Sequence, residues 1–392
     1  MRLKREQQQQ QEAVTKMVNW VQAQEPILHW LVRGAGLRRQ TIEIEPGTVI
    51  SMWVPKEKVM AAKKKPANKE VVPDPSSDSS RDEEEDKRKK KKQQRGKEKE
   101  KPAVVLVHGF AAEGIVTWQF QFGVLVNHYE VYIPDLFFFG GSTTDAADRS
   151  PAFQAECLAA ALDKLSVRRC TAVGFSYGGM VAFKMAEMRP DLVRSLVVSG
   201  SVFAMTDSIS RTTLDQLGFA SSSELLMPES IKGLKALLSV SMHRKLWFPD
   251  FLYKDYLEVL LTTDCIHACK IACGLIPSTD RCGYEQVMFS NRKERAELLE
   301  GLVISNKDAK VPSLDQVMAD NRTKGGFRSY LPTPFLLTKT NPPSSSSFII
   351  CRQLGEKTIL QSITKAGHLL HVERPCAYNR HLNKFLALVK DE

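Results

Sequence analysis

The sequence predicts an α/β domain, a mostly parallel doubly wound sheet with a helical cap inserted between core strands. Three observations carry that prediction. Runs such as AVVLV (103–107), EVYIP (130–134), CTAV (170–173) and LVVS (196–199) have the near-continuous apolar, β-branched character of strands buried on both faces. Segments of helical length separate them, which makes right-handed βαβ units and a parallel sheet. Finally, GFSYGG (174–179) joins CTAV to MVAFKMAEM, so a strand passes through a tight turn into a helix.

Taken in order, residues 1–55 read as an N-terminal helical segment and an edge hairpin. Between 13 and 37 the apolar residues Val18, Trp20, Val21, Ile27, Leu28, Trp30, Leu31 and Val32 form an amphipathic pattern that Pro26 interrupts. A pair of short helices packed on the domain is expected, because the segment lacks the dense Lys/Arg face of a lipid-binding helix. TIEIEPGTVISMWV (41–54) alternates and turns at Pro46-Gly47, the pattern of two edge strands.

Residues 56–101 read as a disordered, charged, low-complexity insertion. An acidic block is followed there by a basic one, with too little apolar surface to offset the entropy of ordering. The chain has 392 residues and a formal charge of +10, and residues 55–101 hold 17 Lys and Arg against 11 Asp and Glu, so +6 of the excess sits in that segment. The basic excess therefore gives no reason to expect nucleic acid as a partner. The cluster Lys87–Lys92 has the composition of segments that nuclear import factors read or that bind polyanions, although a solvated insertion is the expected role.

Residues 102–203 form the first part of the core, with strands ending at VHGF and IPDL and a helix over about Pro151–Leu165. Residues 204–331 turn helical and irregular and are read as the cap, with an irregular insert at 260–286. Residues 332–392 return to the core with a strand from Lys357, a loop carrying His368 and a closing helix. No run approaches the 18 or so apolar residues of a spanning helix, and MRLKREQQQQQEAV lacks the apolar centre of a secretory signal, so a cytoplasmic protein is expected. Eight cysteines are too sparse for a disulfide framework. Cys265, Cys269 and Cys273, with His267 nearby, match no zinc spacing, and no metal or organic cofactor is implied.

The chemistry gathers around GFSYGG. A sharp strand-to-helix turn would expose the Ser176 hydroxyl at the carboxyl edge of the sheet, with Gly174 and Gly178 making room. Serine is a poor nucleophile unless a base takes its proton. His368, in an AGH loop after the last strand, is the expected base, because parallel strands bring their carboxyl ends to one side of the sheet. His371 is expected to be structural. The backbone N–H groups of Tyr177 and Phe110 are the expected oxyanion donors. His108, Gly109 and Phe139 are placed against the substrate, Gly109 allowing close backbone approach and Phe139 lying in an apolar FFF wall of which at least two rings should pack in the core.

VHGF, PDLFFFGGS, GFSYGG and AGHLLHVERP, in this order, resemble the α/β-hydrolase superfamily, and in detail plant members of its α/β-hydrolase-1 group, relatives of esterases, monoacylglycerol lipases and carbon-carbon bond hydrolases. The resemblance covers roughly residues 17–55, 102–259, 287–316 and 352–390. It implies an α/β-hydrolase fold and a third triad residue, an Asp after the penultimate core strand. The chain departs from the pattern there, since PTPFLL is followed by TKTNPP with no carboxylate. Asp308 is the candidate acid, with Asp315, Asp320 and Asp207 as alternatives. A serine at the elbow in place of aspartate argues against the usual epoxide hydrolase chemistry. Two functions are carried forward: a serine hydrolase of the carboxylesterase or lipase type acting on a small or lipid-like acyl substrate, and a ligand-binding or receptor-like protein without turnover.

Overall fold

The computed structural model describes residues 20–63, 101–110, 112–201, 205–245, 247–261, 291–304, 335–340 and 358–390. The described strands are β1 (Leu37–Glu45), β2 (Thr48–Pro55), β3 (Ala103–Val107), β4 (Glu130–Pro134), β5 (Thr143–Thr144), β6 (Cys170–Phe175), β7 (Val193–Ser199), β8 (Met205–Thr206), β9 (Val303–Ile304), β10 (Phe335–Thr340) and β11 (Thr358–Ile363). The helices are α1 (Trp20–Gly34), α2 (Lys56–Lys63), α3 (Gly114–Thr117), α4 (Phe122–Leu125), α5 (Pro151–Lys164), α6 (Tyr177–Met188), α7 (Asp207–Leu217), α8 (Ser222–Leu226), α9 (Ile231–Ser241), α10 (Asp250–Leu261), α11 (Arg292–Gly301), α12 (Leu370–Glu373) and α13 (Pro375–Lys390).

The main sheet runs β1-β2-β4-β3-β6-β7-β10-β11, with β5 added to β2. From β4 to β11 every pairing is parallel, and β1-β2 and β2-β4 are antiparallel. This is the predicted α/β-hydrolase architecture, a mostly parallel sheet wound with helices. The alternation along β3 shows why it holds: Val105 and Val107 enter one core with Leu158 and Leu162 of α5 and Val181 and Met185 of α6, whereas Val104 and Leu106 enter the other with Trp118, Tyr378, Leu382 and Phe385. Both faces of the strand are buried, so neither shows the apolar-polar alternation of a half-wet sheet.

Local signals set the helix boundaries. Ser150 caps α5 by accepting from the Phe153 N–H at 3.2 Å, and Pro151 takes the first turn, where its missing donor costs nothing. Along α13 Tyr378, Leu382, Phe385, Leu386 and Val389 are buried, a stripe at helical spacing facing the sheet.

Three expectations need correction. Pro26 lies inside one continuous helix, α1, and does not divide a pair. Burial of His29 and Val32 against Trp53 holds the helix to the sheet, which compensates for the hydrogen bond that proline removes. Of the hairpin strands only β1 is an edge, because β2 pairs with β4 on its other side. The charged insertion does not begin at residue 56, since Lys56–Lys63 form α2 and Lys58 pairs with Glu130 at 3.1 Å. Residues 64–100 of that insertion, with the basic cluster 87–92, and residues 262–286 of the insert, with its four cysteines, lie outside the described residues.

Between 205 and 304 the regular elements among the described residues are helices, apart from the two-residue strands β8 and β9, which pair in parallel. Among the described residues no helix is long and apolar enough to cross a membrane, and no cluster of three or more His, Cys, Asp or Glu is placed to hold a metal.

Candidate active site

Strand β6 lies between β3 and β7 and is buried along its whole length, so the residue that follows it emerges at the middle of the sheet. That residue is Ser176, with φ 52° and ψ −121°. An L-residue adopts such a conformation only where its surroundings over-determine it. Here the Ser176 N–H donates to the Ser199 carbonyl at 2.9 Å, and the Ser176 carbonyl accepts from Gly179 at 2.9 Å.

Two glycines make the turn sterically feasible. A Cβ at Gly174 would stand 2.6 Å from the Gly178 carbonyl oxygen. At Gly178 it would run into the His108 carbonyl and stand 2.5 Å from that of Val107. Both obstacles are backbone, which has nowhere to go.

His368 follows β11 and the Lys365 turn. Its Nε2 lies 3.1 Å from Ser176 Oγ, hydrogen-bond distance for a base and the hydroxyl it would deprotonate. Its ring rests on Phe175, with centroids 5.0 Å apart. Packing of protein atoms around the imidazole lowers its pKa from 6.5 and favours the neutral form a base needs. The ring keeps an edge in solvent, and that hydration limits the fall.

Gly200 is a site residue that motif reading missed. It has φ +57°, and a Cβ there would stand 3.1 Å from His368 Cε1 and Nδ1. The only trace in the sequence is a glycine directly after the β7 run. His371, expected to be structural, is 1% exposed, and its ring lies tilted against Phe175 with centroids 4.3 Å apart.

The oxyanion candidates lie beside the serine. A Cβ at Gly109 would be 3.2 Å from Ser176 Cβ and 2.8 Å from Phe175, so the β3 loop reaches the elbow only because residue 109 lacks a side chain. Phe110 comes next, and its ring meets that of Tyr177 edge-on at 6.4 Å. Among the described residues neither the Phe110 nor the Tyr177 N–H donates to a turn or loop carbonyl. Tyr177 opens α6, where backbone donors have no partner within the helix. Gln154 anchors this corner by donating to Tyr177 Oη at 3.2 Å and accepting from the Phe137 N–H at 3.0 Å.

Two residues expected to touch substrate are buried. His108 is 0% exposed; its Nδ1–H donates to the Gly109 carbonyl at 2.6 Å and its Nε2 accepts from the Leu136 N–H at 2.8 Å. Burial pushes its pKa down to about 4, so it stays neutral and ties the loop after β3 to the chain after β4. Phe139 is 1% exposed and packs edge-on against His108 and Phe110, with the buried Arg295 guanidinium 4.1 Å from its centroid. All three phenylalanines of the FFF run are core residues. Sequence position placed them near the site, but depth below the surface is set by tertiary packing.

No described carboxylate is hydrogen-bonded to His368. Asp308, Asp315 and Asp320 lie outside the described residues, and Asp207 opens α7 after β8. The penultimate core strand does form: β10 pairs in parallel with β7 and β11.

Residues 102–225 match the family model described as the alpha/beta hydrolase fold, a span that contains Phe110, Ser176 and Tyr177 but not His368. Over 105 residues the chain is 32% identical to epoxide hydrolase 4 of Mus musculus, covering 26% of this chain and 28% of that one. Over 101 residues it is 34% identical to the pimeloyl-[acyl-carrier protein] methyl ester esterase of Aeromonas salmonicida, covering 26% of this chain and 38% of the relative. The chain thus spans well under half the length of either relative. Among solved structures, a membrane phospholipase A described as a bacterial virulence factor superposes with a TM-score of 0.61 at 20% identity, covering 100% of both chains. The chain has the α/β-hydrolase fold, and within it residues 102–225 carry the sequence pattern of that hydrolase family.

Proposed function

We propose that the protein is a serine hydrolase of the carboxylesterase or lipase type, acting on an ester or related acyl bond of a small or lipid-like substrate. The observation that carries this reading is the 3.1 Å approach of His368 Nε2 to Ser176 Oγ at a strained elbow. Two proteins similar in sequence or fold are named an esterase and a phospholipase. Another relative is named an epoxide hydrolase, but serine at the elbow favours acyl chemistry for this chain. The plant affiliation rests on the four sequence motifs alone.

In this mechanism Ser176 Oγ attacks the acyl carbonyl carbon as His368 Nε2 takes its proton. The oxygen of the tetrahedral intermediate accepts from the Phe110 and Tyr177 N–H groups, and losing one such donor costs roughly 3 kcal/mol of transition-state stabilisation. The imidazolium returns the proton to the leaving oxygen. Water, deprotonated by the same histidine, then releases the acid and regenerates the serine. Asp308 is our choice for the carboxylate on His368 Nδ1, with Asp207, Asp315 and Asp320 to be separated from it by single Asn substitutions. Residues 204–331 are read as the cap over this site.

A second reading, a ligand-binding protein without turnover, draws on one observation: the residues after β10 are Asn341, Pro342 and Pro343, where the fold family keeps its acid. Fluorophosphonate labelling decides between the two. Labelling of the wild-type chain that is lost in Ser176→Ala and His368→Ala supports the hydrolase, and a folded wild-type chain that takes no label refutes it.

A further inference from the structure

A carboxylate that takes no part in the proposed chemistry is tied to the loop that carries its base. Glu373, the last residue of α12, accepts from the Gly367 N–H at 2.5 Å, the Arg244 N–H at 3.1 Å and the His243 N–H at 3.0 and 3.1 Å to its two oxygens. Gly367 directly precedes His368, whereas His243 and Arg244 belong to the helical segment just beyond α9.

The two backbones it joins are in close contact. The Leu369 N–H donates to the Ser241 carbonyl at 3.1 Å. A Cβ at Gly367 would lie 2.6 Å from His243 N and 2.7 Å from Ser241 O, so only glycine permits the approach. His368 is therefore bracketed, with Gly367 held by Glu373 on one side and Leu369 held by Ser241 on the other.

An ionised carboxylate is an acceptor only, and it can serve three N–H donors that converge from two chain segments. Its isostere glutamine offers one oxygen and turns an NH₂ toward N–H groups that need an acceptor. Glu373 has no place in the proposed acyl transfer, since its hydrogen bonds go to backbone N–H groups and not to Ser176 or the His368 ring. Its partners lie on either side of one joint, between the loop carrying the base and the helical segment read as the cap.

We propose that Glu373 is a positioning residue that latches the His368 loop to the end of α9, setting the base and the helical segment in place as one unit. The proposal rests on the serine hydrolase reading for its catalytic meaning. Its test keeps the two separable by combining a kinetic readout with one that needs no activity.

The variants are Glu373→Gln and, from the other side of the joint, Gly367→Ala, each with Ser176→Ala as the blank. The first readout is the saturating rate of fluorophosphonate labelling, separated from the half-saturating probe concentration. The second is the NMR titration of the His368 ring. Loosening the latch is expected to lower the saturating rate about 10- to 100-fold, the cost of a misplaced base, with little change in half-saturation. The His368 midpoint is expected to move up toward 6.5 as the ring gains water. A folded Glu373→Gln variant with wild-type rate and wild-type midpoint overturns the latch and leaves the hydrolase reading standing. If the wild-type chain takes no label, that reading fails, and the titration alone decides the latch.

Discussion

Replacing Ser176 with glycine should leave the protein more stable than replacing it with alanine, although both changes remove the nucleophile. At φ 52° and ψ −121° the residue sits where a Cβ is in steric conflict with its own backbone. Such a conformation costs on the order of 1–3 kcal/mol. Glycine releases that strain but is more flexible when unfolded, at a cost of roughly 0.5–1 kcal/mol. The suitable reference is Ser176→Ala, which keeps Cβ and the strain. Both variants lose the hydroxyl and its bond to His368, so that contribution cancels in the comparison. Subtracting about 0.75 from about 2 leaves a gain near 1 kcal/mol for Ser176→Gly over Ser176→Ala, or about 2–4 °C in Tm for a domain of this size. Urea unfolding of the two variants side by side measures it. A glycine variant equal to or less stable than the alanine variant would refute the argument, because the elbow would then hold no strain to release.

Gly178→Ala should do the opposite: its Cβ meets the carbonyls of His108 and Val107, so stability should fall by about 3 kcal/mol or more and labelling with it, as urea unfolding and the labelling gel will report. The labelling rate should fall as pH drops through the His368 pKa; because that pKa lies below 6.5, the rate at pH 6.5 should remain above half its alkaline plateau, and a midpoint above 7 would exclude this histidine as the base. Folding should also weaken in acid. His108 and His371 stay neutral in the fold with pKa values pushed down to about 4 and about 3, so the unfolded chain binds more protons below 6.5. Their contribution is complete above 6.5 and is lost as pH falls toward those values, each at up to about 1.4 kcal/mol per pH unit, which urea titrations at pH 7, 6 and 5 would register. Asp308→Asn should reduce labelling by up to about 10⁴-fold if that carboxylate orients His368, and unchanged labelling would pass the role to another Asp.

The sequence by itself determined the winding of the sheet, the elbow and the histidine brought to it. Each is written in near neighbours: β-branched runs, a Gly-x-Ser-x-Gly turn between a strand and a helix, and a histidine after the last strand. Parallel topology then brings the carboxyl ends of β3, β6 and β11 together without further information. Tertiary structure decided what depends on depth and on contact between distant segments. His108 and Phe139 occupy motif positions but lie beneath the site, because the side chains of α5 and the Arg295 helix fill the space around them. β2 is interior because β4 pairs with it, and α1 runs on through Pro26 because Trp53 offers its buried face a partner. Gly200 directly follows the β7 run and Glu373 lies within the AGHLLHVERP motif, but nothing local shows what either one meets. One makes room for a ring 168 positions along the chain and the other holds backbone 130 positions away, and only folding brings such pairs within reach.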